Sequence, residues 1–176
     1  MFGSLSQRTP VRRSTTQTIG YLRLQKDVGE LDQLDCKDVT WDWPDAKNKP
    51  MEFNVTISPR NGIFAGGVFP FSFKVSSDYP HKAPEVRCLR KIYHPNIDLE
   101  GHVCLNILRE DYRPVLTITS IIHGLRFLFT EPNPNDPLNR DAAEDMVRSM
   151  DSFKNNVKRS MRGERVGNER FDRVLQ

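Results

Sequence analysis

The spacing of apolar residues along the first half of the chain predicts one helix followed by four strands. Leu24, Val28 and Leu31 recur at the interval of one helix face, which predicts a helix of about three turns beginning near Ile19. Beyond it, apolar and polar residues alternate in four short runs, as in strands that bury one face. The alternating apolar residues are Val39, Trp41 and Trp43; Phe53, Val55 and Ile57; Phe69, Phe71, Phe73 and Val75; and Val86 with Cys88.

Turn residues separate these four runs, and no helical pattern lies between them. Short turns join strands that are neighbours and antiparallel, so the pattern predicts a four-stranded meander. Because each strand has one apolar face, another element must cover that side of the sheet. The turn signals are Pro59 with Asn61-Gly62, Gly66-Gly67, and Tyr79-Pro80 through Pro84.

The second half of the chain supplies helices for that cover. One helical pattern begins after Thr117, which is suited to cap a helix, and ends at Glu131-Pro132. A later pattern predicts one or two further helices up to Gly163. The apolar residues of these patterns are Ile118, Ile121, Ile122, Leu125, Leu128 and Phe129, then Ala143, Met146, Met150, Phe153 and Val157. The order predicts an α+β fold with an N-terminal helix, a four-stranded antiparallel meander sheet, a long loop and C-terminal helices.

The first residues of the chain differ from the rest in composition. Residues 1–18 are rich in Ser, Thr, Gln and Arg, show no apolar period and precede the first acidic residue, Asp27. Such a segment cannot bury enough apolar surface to fold alone. We therefore expect a flexible tail over residues 1–18 and one domain over residues 19–176.

Composition and charge exclude several classes of protein. With 26 basic and 23 acidic side chains, the net charge of +3 is too small to indicate nucleic-acid binding. No run of 18 apolar residues is present, so no membrane-spanning helix is expected. The three cysteines are an odd number without the spacing of a disulfide framework, which favours a reducing compartment.

The long stretch from Tyr93 to Leu116 has no clear period, and a long loop in a compact domain is usually functional. It contains His94-Pro95-Asn96 and Cys104. A cysteine is the most nucleophilic side chain near neutral pH, although an unperturbed thiol is only about 5% thiolate at pH 7.2. The alternative is that Cys104, like Cys36 and Cys88, is a small buried hydrophobic residue.

Two other uses of Cys104 fit the sequence less well. A zinc site would draw on His94, His102, Cys88 and Cys104, but no pair has a common ligand spacing. A cysteine peptidase usually places its nucleophile at the start of a helix, whereas Cys104 lies well before Thr117. No metal site is therefore expected.

At this loop the chain resembles the ubiquitin-conjugating enzymes. His94-Pro95-Asn96, followed by seven residues and Cys104-Leu105, matches the active-site signature of that family. Landmarks on both sides agree in order, and the resemblance covers about Ile19 to Arg162. These landmarks are Tyr79-Pro80 and Pro84 before the loop, and Pro132-Asn133-Pro134-Asn135-Asp136-Pro137-Leu138 after it.

Finer similarity points to the branch that conjugates the ubiquitin-like modifier of neddylation. It is carried by Asn96 to Gly101, by Cys104 to Asp111 and by Ser160 to Gly163, together with a tail that begins with Met and an aromatic residue. The chain departs from the family at Tyr112, where Trp is usual. Tyr keeps an aromatic face with less area to bury, so the loop that binds ligases is expected to pack differently.

The resemblance implies a reaction of two acyl transfers. Cys104 takes the modifier from the thioester of an activating enzyme, and a substrate lysine then takes it from Cys104. Asn96 is expected to steady the oxyanion, or to fix the loop backbone, or both. Asp136 is expected to orient the incoming lysine. His94, which resembles a structural histidine, and Pro95, Leu105 and Asn106 complete the predicted active-site loop.

The resemblance also implies docking surfaces. Pro80 and His81 on one loop, and Arg113, Pro114 and Val115 on another, are expected to bind a RING-type ligase. For the activating enzyme and a co-ligase, the expected contacts are Arg23 and Lys26 on the first helix, and Met1, Phe2 and Leu5 in the tail.

The family likewise implies partners and setting. We expect a ubiquitin-like modifier, cullin substrates, no cofactor because ATP is used by the activating enzyme, no nucleic acid or membrane partner, a monomer, and a location in cytoplasm and nucleus. Two alternatives stay open at this point. The first is a carrier of ubiquitin itself, and the second is a non-catalytic scaffold of the same fold. Inactive members of the family lack the active-site cysteine, which this chain has at Cys104.

Overall fold

The computed structural model describes residues 18–31 and 36–175. It confirms the expected α+β architecture: a helix, a four-stranded sheet, a long loop and then helices. The elements in chain order are α1 (Ile19–Leu31), β1 (Val39–Asp42), β2 (Glu52–Ile57), β3 (Phe69–Lys74), β4 (Glu85–Cys88), a 3₁₀ turn (Asn106–Leu108), α2 (Ile118–Thr130), α3 (Arg140–Arg148), α4 (Met150–Met161), β5 (Arg165–Val166) and β6 (Glu169–Arg170).

The sheet is the predicted antiparallel meander, with the strands in the order β1-β2-β3-β4. Its register places the apolar residues of neighbouring strands opposite one another: Trp41 pairs with Val55, Val55 with Phe71, and Phe71 with Cys88. Because side chains alternate along a strand, these residues all project from the same face of the sheet. Along β2 the alternate residues Phe53, Val55 and Ile57 are buried, so one face of the sheet forms the core.

Helix α2 lies against the core and anchors it. Phe129 stacks on Phe69 of β3 with ring centroids 4.4 Å apart, and it meets Phe64 edge to face. Removing a side chain of this size from water contributes about 1.5–3 kcal/mol. The helix begins after Thr117 as predicted, and the Thr117 hydroxyl accepts a hydrogen bond from the backbone N–H of Ser120 at 3.2 Å. This cap sets the point at which the long loop ends.

The last third of the chain holds two helices and a small hairpin. Ser149 separates α3 from α4: its N–H donates to the carbonyl of Asp145, and its hydroxyl caps α4 by accepting from Ser152. The hairpin of β5 and β6 was not predicted, because strands of two residues are too short to show a period. After it, Phe171 packs edge to face on Tyr93 and so closes one end of the active-site loop.

The predicted tail over residues 1–18 lies outside the described residues except for Thr18, and so do Met1, Phe2 and Leu5. The division into a tail and one domain over residues 19–176 therefore stays a prediction. Within the described ranges, no helix combines the length and the apolar character needed to cross a membrane.

Candidate active site

The active-site loop is held to the edge of the sheet by backbone contacts. Gly101 has a φ of +86°, which L side chains rarely adopt, and a Cβ there would lie 2.1 Å from the carbonyl oxygen of Cys88. The Gly101 carbonyl in turn accepts from the N–H of Cys88 at 2.8 Å. Farther along, the N–H of Cys104 donates to the carbonyl of Asn96 at 2.8 Å. These bonds bring the two halves of the His94–Cys104 segment side by side.

His94 is fully buried beneath this loop. Its Nε2 lies 2.9 Å from the carbonyl oxygen of Leu128, and its Nδ1 accepts from the N–H of Asn96 at 3.0 Å, while its ring stacks on Phe64. Burial lowers the pKa of His94 to about 4, so the ring is neutral at pH 7. Both ring nitrogens are bonded to backbone groups, which supports the predicted structural role of His94.

Asn96 is also buried and holds the Pro-rich loop of residues 132–138 in place. Its Nδ2 donates to the carbonyl of Asn133 at 2.7 Å and to that of Asp136 at 3.3 Å, and its Oδ1 accepts from the N–H of Asn133 at 2.8 Å. The side chain is thus engaged in fixing the backbone. To donate to an oxyanion, its amide would give up the longer of these bonds, the one to Asp136.

Cys104 differs from the other two cysteines in what its sulfur touches. Its Sγ–H donates to Oδ2 of Asp136 at 3.1 Å, and its sulfur accepts from Nη1 of Arg109 at 3.0 Å. Cys88 and Cys36 instead pack in or against the hydrophobic core. Although Cys104 is 5% exposed, it therefore lies between a carboxylate and a guanidinium and not among apolar side chains.

These surroundings act on the thiol in opposite directions. Burial, and after it the hydrogen bond and the charge of Asp136, raise the pKa of Cys104 above its ordinary value, whereas Arg109 opposes the rise. The pKa of Cys88 is raised further, to about 12, mainly by burial. Because its pKa is raised, the Cys104 thiol is protonated at rest. The thiolate is the nucleophile, so the charged neighbours must help to remove this proton.

Arg109 is the functional candidate that the sequence reasoning missed. It ends the 3₁₀ turn that follows Cys104, and its N–H donates to the carbonyl of Asn106 at 2.9 Å. This turn packs closely on α2 because residue 124 is a glycine and has no Cβ. A Cβ there would lie 2.9 Å from the side chain of Ile107. A usable signal was present: Arg109 is the first basic residue after Cys104, and a basic side chain next to a thiol favours the thiolate.

The three comparisons with known proteins agree with this geometry. Residues 23–161 match the family model described as "Ubiquitin-conjugating enzyme". The chain belongs to the ubiquitin-conjugating enzyme family. Members of this family are transferases that work through a thioester on a cysteine.

Similar proteins and a solved structure fall within one branch of the family. NEDD8-conjugating enzyme UBC12 of Yarrowia lipolytica is 51% identical, covering 90% of this chain and 87% of the relative. A probable NEDD8-conjugating enzyme Ubc12-like of Arabidopsis thaliana is 52% identical, covering 90% and 85%. The structure of S. cerevisiae Ubc12 superposes with a TM-score of 0.84 at 40% identity, covering 93% and 90%. The predicted resemblance to the neddylation branch is confirmed.

The other predicted residues of the conjugating-enzyme loop have structural contacts. The Pro95 carbonyl accepts from the N–H groups of Leu138 and Asn139 at 2.9 and 3.0 Å, which joins the loop to the start of α3. Leu105 is half-buried and its side chain approaches Gly124 of α2, while the side chain of Asn106 is exposed. Asn106 is thus the part of this turn that is open to a modifier.

The two predicted ligase-binding loops lie next to each other. The hydroxyl of Tyr112 donates to the carbonyl of Pro80 at 2.6 Å, so Tyr at this position joins the two loops directly. Beyond this bond, His81, Arg113, Pro114 and Val115 are exposed, and Val115 is 79% exposed. The structure therefore brings all five predicted residues to one surface of the conjugating enzyme.

Arg23 and Lys26 on α1 have different surroundings. Arg23 donates to Asp27 at 2.8 Å, to the carbonyl of Pro114 at 3.1 Å and to that of Leu116 at 3.3 Å, so it supports from within a loop that was predicted to bind a ligase. Asp27, which is buried, also accepts from the hydroxyl of Tyr79 and from the N–H of Ile118. Lys26 is exposed and free to contact a partner.

The structure does not gather the four residues considered for zinc. Both nitrogens of the His94 ring are occupied, and Cys88 lies in the core. Within the ranges 18–31 and 36–175, the group with metal-ligand spacing is Asp98, Glu100 and His102, which contains one of the four. Nδ1 of His102 there lies 2.7 Å from Oδ2 of Asp98 on the surface of the loop.

Proposed function

We propose that this chain carries NEDD8 as a thioester on Cys104 and transfers it to a substrate lysine. The observation that carries this proposal is the position of Sγ, held 3.1 Å from Asp136 and 3.0 Å from Arg109 in the active-site loop of a conjugating-enzyme fold. The relatives named NEDD8-conjugating enzymes supply the identity of the modifier. Ubiquitin is the alternative modifier.

In the first step, the Cys104 thiolate attacks the thioester that joins the modifier's C-terminal glycine to a cysteine of the activating enzyme. A bond from Sγ to the carbonyl carbon forms, and the bond to the other sulfur breaks. That sulfur leaves as a thiolate and takes up the proton that Cys104 gave away. Because a thioester is exchanged for a thioester, the step is nearly balanced and needs no strong base.

In the second step, the neutral amine of a lysine attacks the same carbonyl carbon. An isopeptide bond forms, the bond to Sγ breaks with its electron pair leaving on Sγ as a thiolate, and the attacking nitrogen loses one proton. A lysine of ordinary pKa is only about 0.1% neutral at pH 7.2, so its proton must be removed in place. Once Sγ is acylated it no longer donates to Asp136, so this carboxylate is free to accept from the incoming lysine.

The surfaces of the fold suggest how partners are met. The loops of Pro80 and Val115 form the site proposed for a RING-type ligase, and the exposed Lys26 side of α1 is proposed for the activating enzyme. The proposal extends to cullin substrates, a co-ligase that binds the N-terminal tail, a monomer, no cofactor of its own, and a location in cytoplasm and nucleus.

A charging assay with two activating enzymes tests the modifier. The protein is mixed with ATP, and either NEDD8 with its activating enzyme or ubiquitin with its activating enzyme, and the thiol-sensitive adduct is followed on a non-reducing gel. We expect rapid adduct formation with NEDD8 and at least tenfold slower formation with ubiquitin. Faster charging with ubiquitin would overturn the assignment to NEDD8 and leave the conjugating chemistry standing.

A further inference from the structure

Arg109 makes a contact that its surface position does not require. Its side chain is 48% exposed, yet Nη1 points inward and donates to Sγ of Cys104 at 3.0 Å. The same nitrogen lies 3.9 Å from Oδ2 of Asp136, and Nε lies 3.7 Å from Oε2 of Glu110. The guanidinium thus bridges the sulfur and two carboxylates at one corner of the site.

The charges that face the sulfur come from two segments. Asp136 approaches from the Pro-rich loop and holds the thiol proton, while Arg109 approaches from the end of the 3₁₀ turn. The uncharged amide of Asn96 donates to the backbone carbonyl of Asp136, and Glu110 faces Arg109. Among residues 18–31 and 36–175, Arg109 is the one cation within hydrogen-bonding distance of Sγ.

We propose that Arg109 is a catalytic residue whose guanidinium stabilises the Cys104 thiolate. This role rests on the proposed function, because it serves both of its steps. In charging, the proton leaves Sγ and the thiolate forms against Arg109 before it attacks the carbonyl carbon. In discharge, the bond from carbon to Sγ breaks, and its electron pair returns to Sγ as a thiolate that Arg109 again stabilises.

The competing explanation is a surface ion pair. An exposed arginine between two carboxylates gains little from either pair, and such contacts often contribute nothing measurable. The two explanations differ in what they predict for the sulfur. A surface pair leaves the reactivity of Cys104 unchanged when Arg109 is replaced, whereas a thiolate-stabilising cation changes how that reactivity depends on pH.

Alkylation of the free enzyme with iodoacetamide measures this directly, without any modifier or activating enzyme. The rate of the first adduct is followed by intact-protein mass spectrometry from pH 6 to 10.5 in a Cys36→Ser background. Because Cys88 packs in the hydrophobic core, little alkylation is expected there, and the same protein carrying Cys104→Ser measures how much occurs. The variants are Arg109→Gln, Arg109→Lys and Asp136→Asn, with Arg140→Gln, an exposed arginine of α3 outside the contacts of Cys104, as the matched control.

We expect Arg109→Gln to slow alkylation about two- to fourfold at pH 7, because loss of a nearby cation disfavours the thiolate. At pH 10.5 its rate is equal to the wild-type rate or faster, since a thiolate of higher pKa is the stronger nucleophile. Arg109→Lys falls between the two, Asp136→Asn speeds alkylation at pH 7, and Arg140→Gln matches the wild type.

Two results would overturn the proposal: an unchanged rate for Arg109→Gln at pH 7, or the same loss at every pH. A failure of NEDD8 charging in the wild type would instead overturn the proposed modifier and leave the alkylation result in force. The second readout is charging by whichever activating enzyme charges the wild type. Arg109→Gln should be charged more slowly at pH 7 by a similar factor.

Discussion

The two halves of the active-site loop are built in opposite ways. In the half that begins at His94, the side chains of His94 and Asn96 are almost entirely buried, and each polar atom of both has a backbone partner. Around Cys104, Arg109 comes from the half that follows the cysteine and Asp136 comes from the Pro-rich loop. Their side chains are 48% and 61% exposed and meet at one sulfur.

This difference separates support from chemistry. Buried, fully bonded polar groups specify one loop conformation and are costly to remove. Partly exposed charges around a thiol contribute little to stability but set when it loses its proton. We therefore expect substitutions in the first half to lower the free energy of unfolding, and substitutions in the second half to alter rates at nearly constant stability.

The largest effect is expected at His94. His94→Ala leaves the Asn96 N–H and the Leu128 carbonyl without their partners and opens a cavity beside Phe64, so the free energy of unfolding should fall by about 3–5 kcal/mol. Urea denaturation measures this. His102→Ala, at an exposed histidine of the same loop, is the control and should change stability by less than about 1 kcal/mol. Equal losses at both positions would remove the distinction between the halves.

The buried ring also makes stability depend on pH. The unfolded chain protonates His94 near pH 6.5, whereas the folded protein keeps it neutral down to about pH 4. The unfolded state then binds more protons, so stability present above pH 6.5 is lost as the pH falls toward 4, by about 3 kcal/mol in all. Denaturation of wild type and His94→Gln between pH 4 and 8 tests this. Parallel curves for the two proteins would contradict it.

A smaller effect on stability is expected at Asn96, which links the two halves through the Pro-rich loop. Asn96→Ala removes three hydrogen bonds to that loop and should cost about 1–3 kcal/mol. Its discharge to lysine should slow by about 100-fold, while charging stays close to normal. Asn135→Ala, on the exposed side of the same loop, is the control. Equal slowing of charging and discharge would indicate that Asn96 acts through the fold alone.

The smallest effect on stability belongs to Asp136. Asp136→Asn should change the free energy of unfolding by less than about 0.5 kcal/mol, because the side chain is exposed. Single-turnover discharge to free lysine should slow about tenfold at pH 6.5 and less at pH 9, where neutral amine is more abundant. Asp111→Asn is the matched control. A loss that does not vary with pH would show that Asp136 takes no part in removing the lysine proton.

Much of the fold follows from local patterns, because an alternation or a helical period reflects one buried face. The strands from Val39 to Cys88 and the cap at Thr117 were predicted in this way. Elements whose residues show no clear period of their own were not. The break at Ser149 interrupts a pattern that runs on through Met150, and the hairpin from Arg165 to Arg170 has strands too short for any period.

The candidate active site could likewise be predicted only in part from the sequence. Periodicity singled out the loop but left Cys104 as a possible buried hydrophobe, and its proposed role came from the resemblance of the His94-Pro95-Asn96 signature. The contacts of Asn96 with Asn133 and of Cys104 with Asp136 join residues 37 and 32 positions apart. Such pairs are fixed by the packing of the whole domain, so spacing along the chain does not reveal them.

The central claim, that Cys104 carries the modifier, is tested most directly by replacing each cysteine with serine and charging the variants with NEDD8. Cys104→Ser should trap an oxyester that survives thiol-containing gel buffer, while Cys36→Ser and Cys88→Ser should form the thiol-sensitive adduct. Retention of a thiol-sensitive adduct in Cys104→Ser, with its loss in Cys36→Ser or Cys88→Ser, would contradict the account.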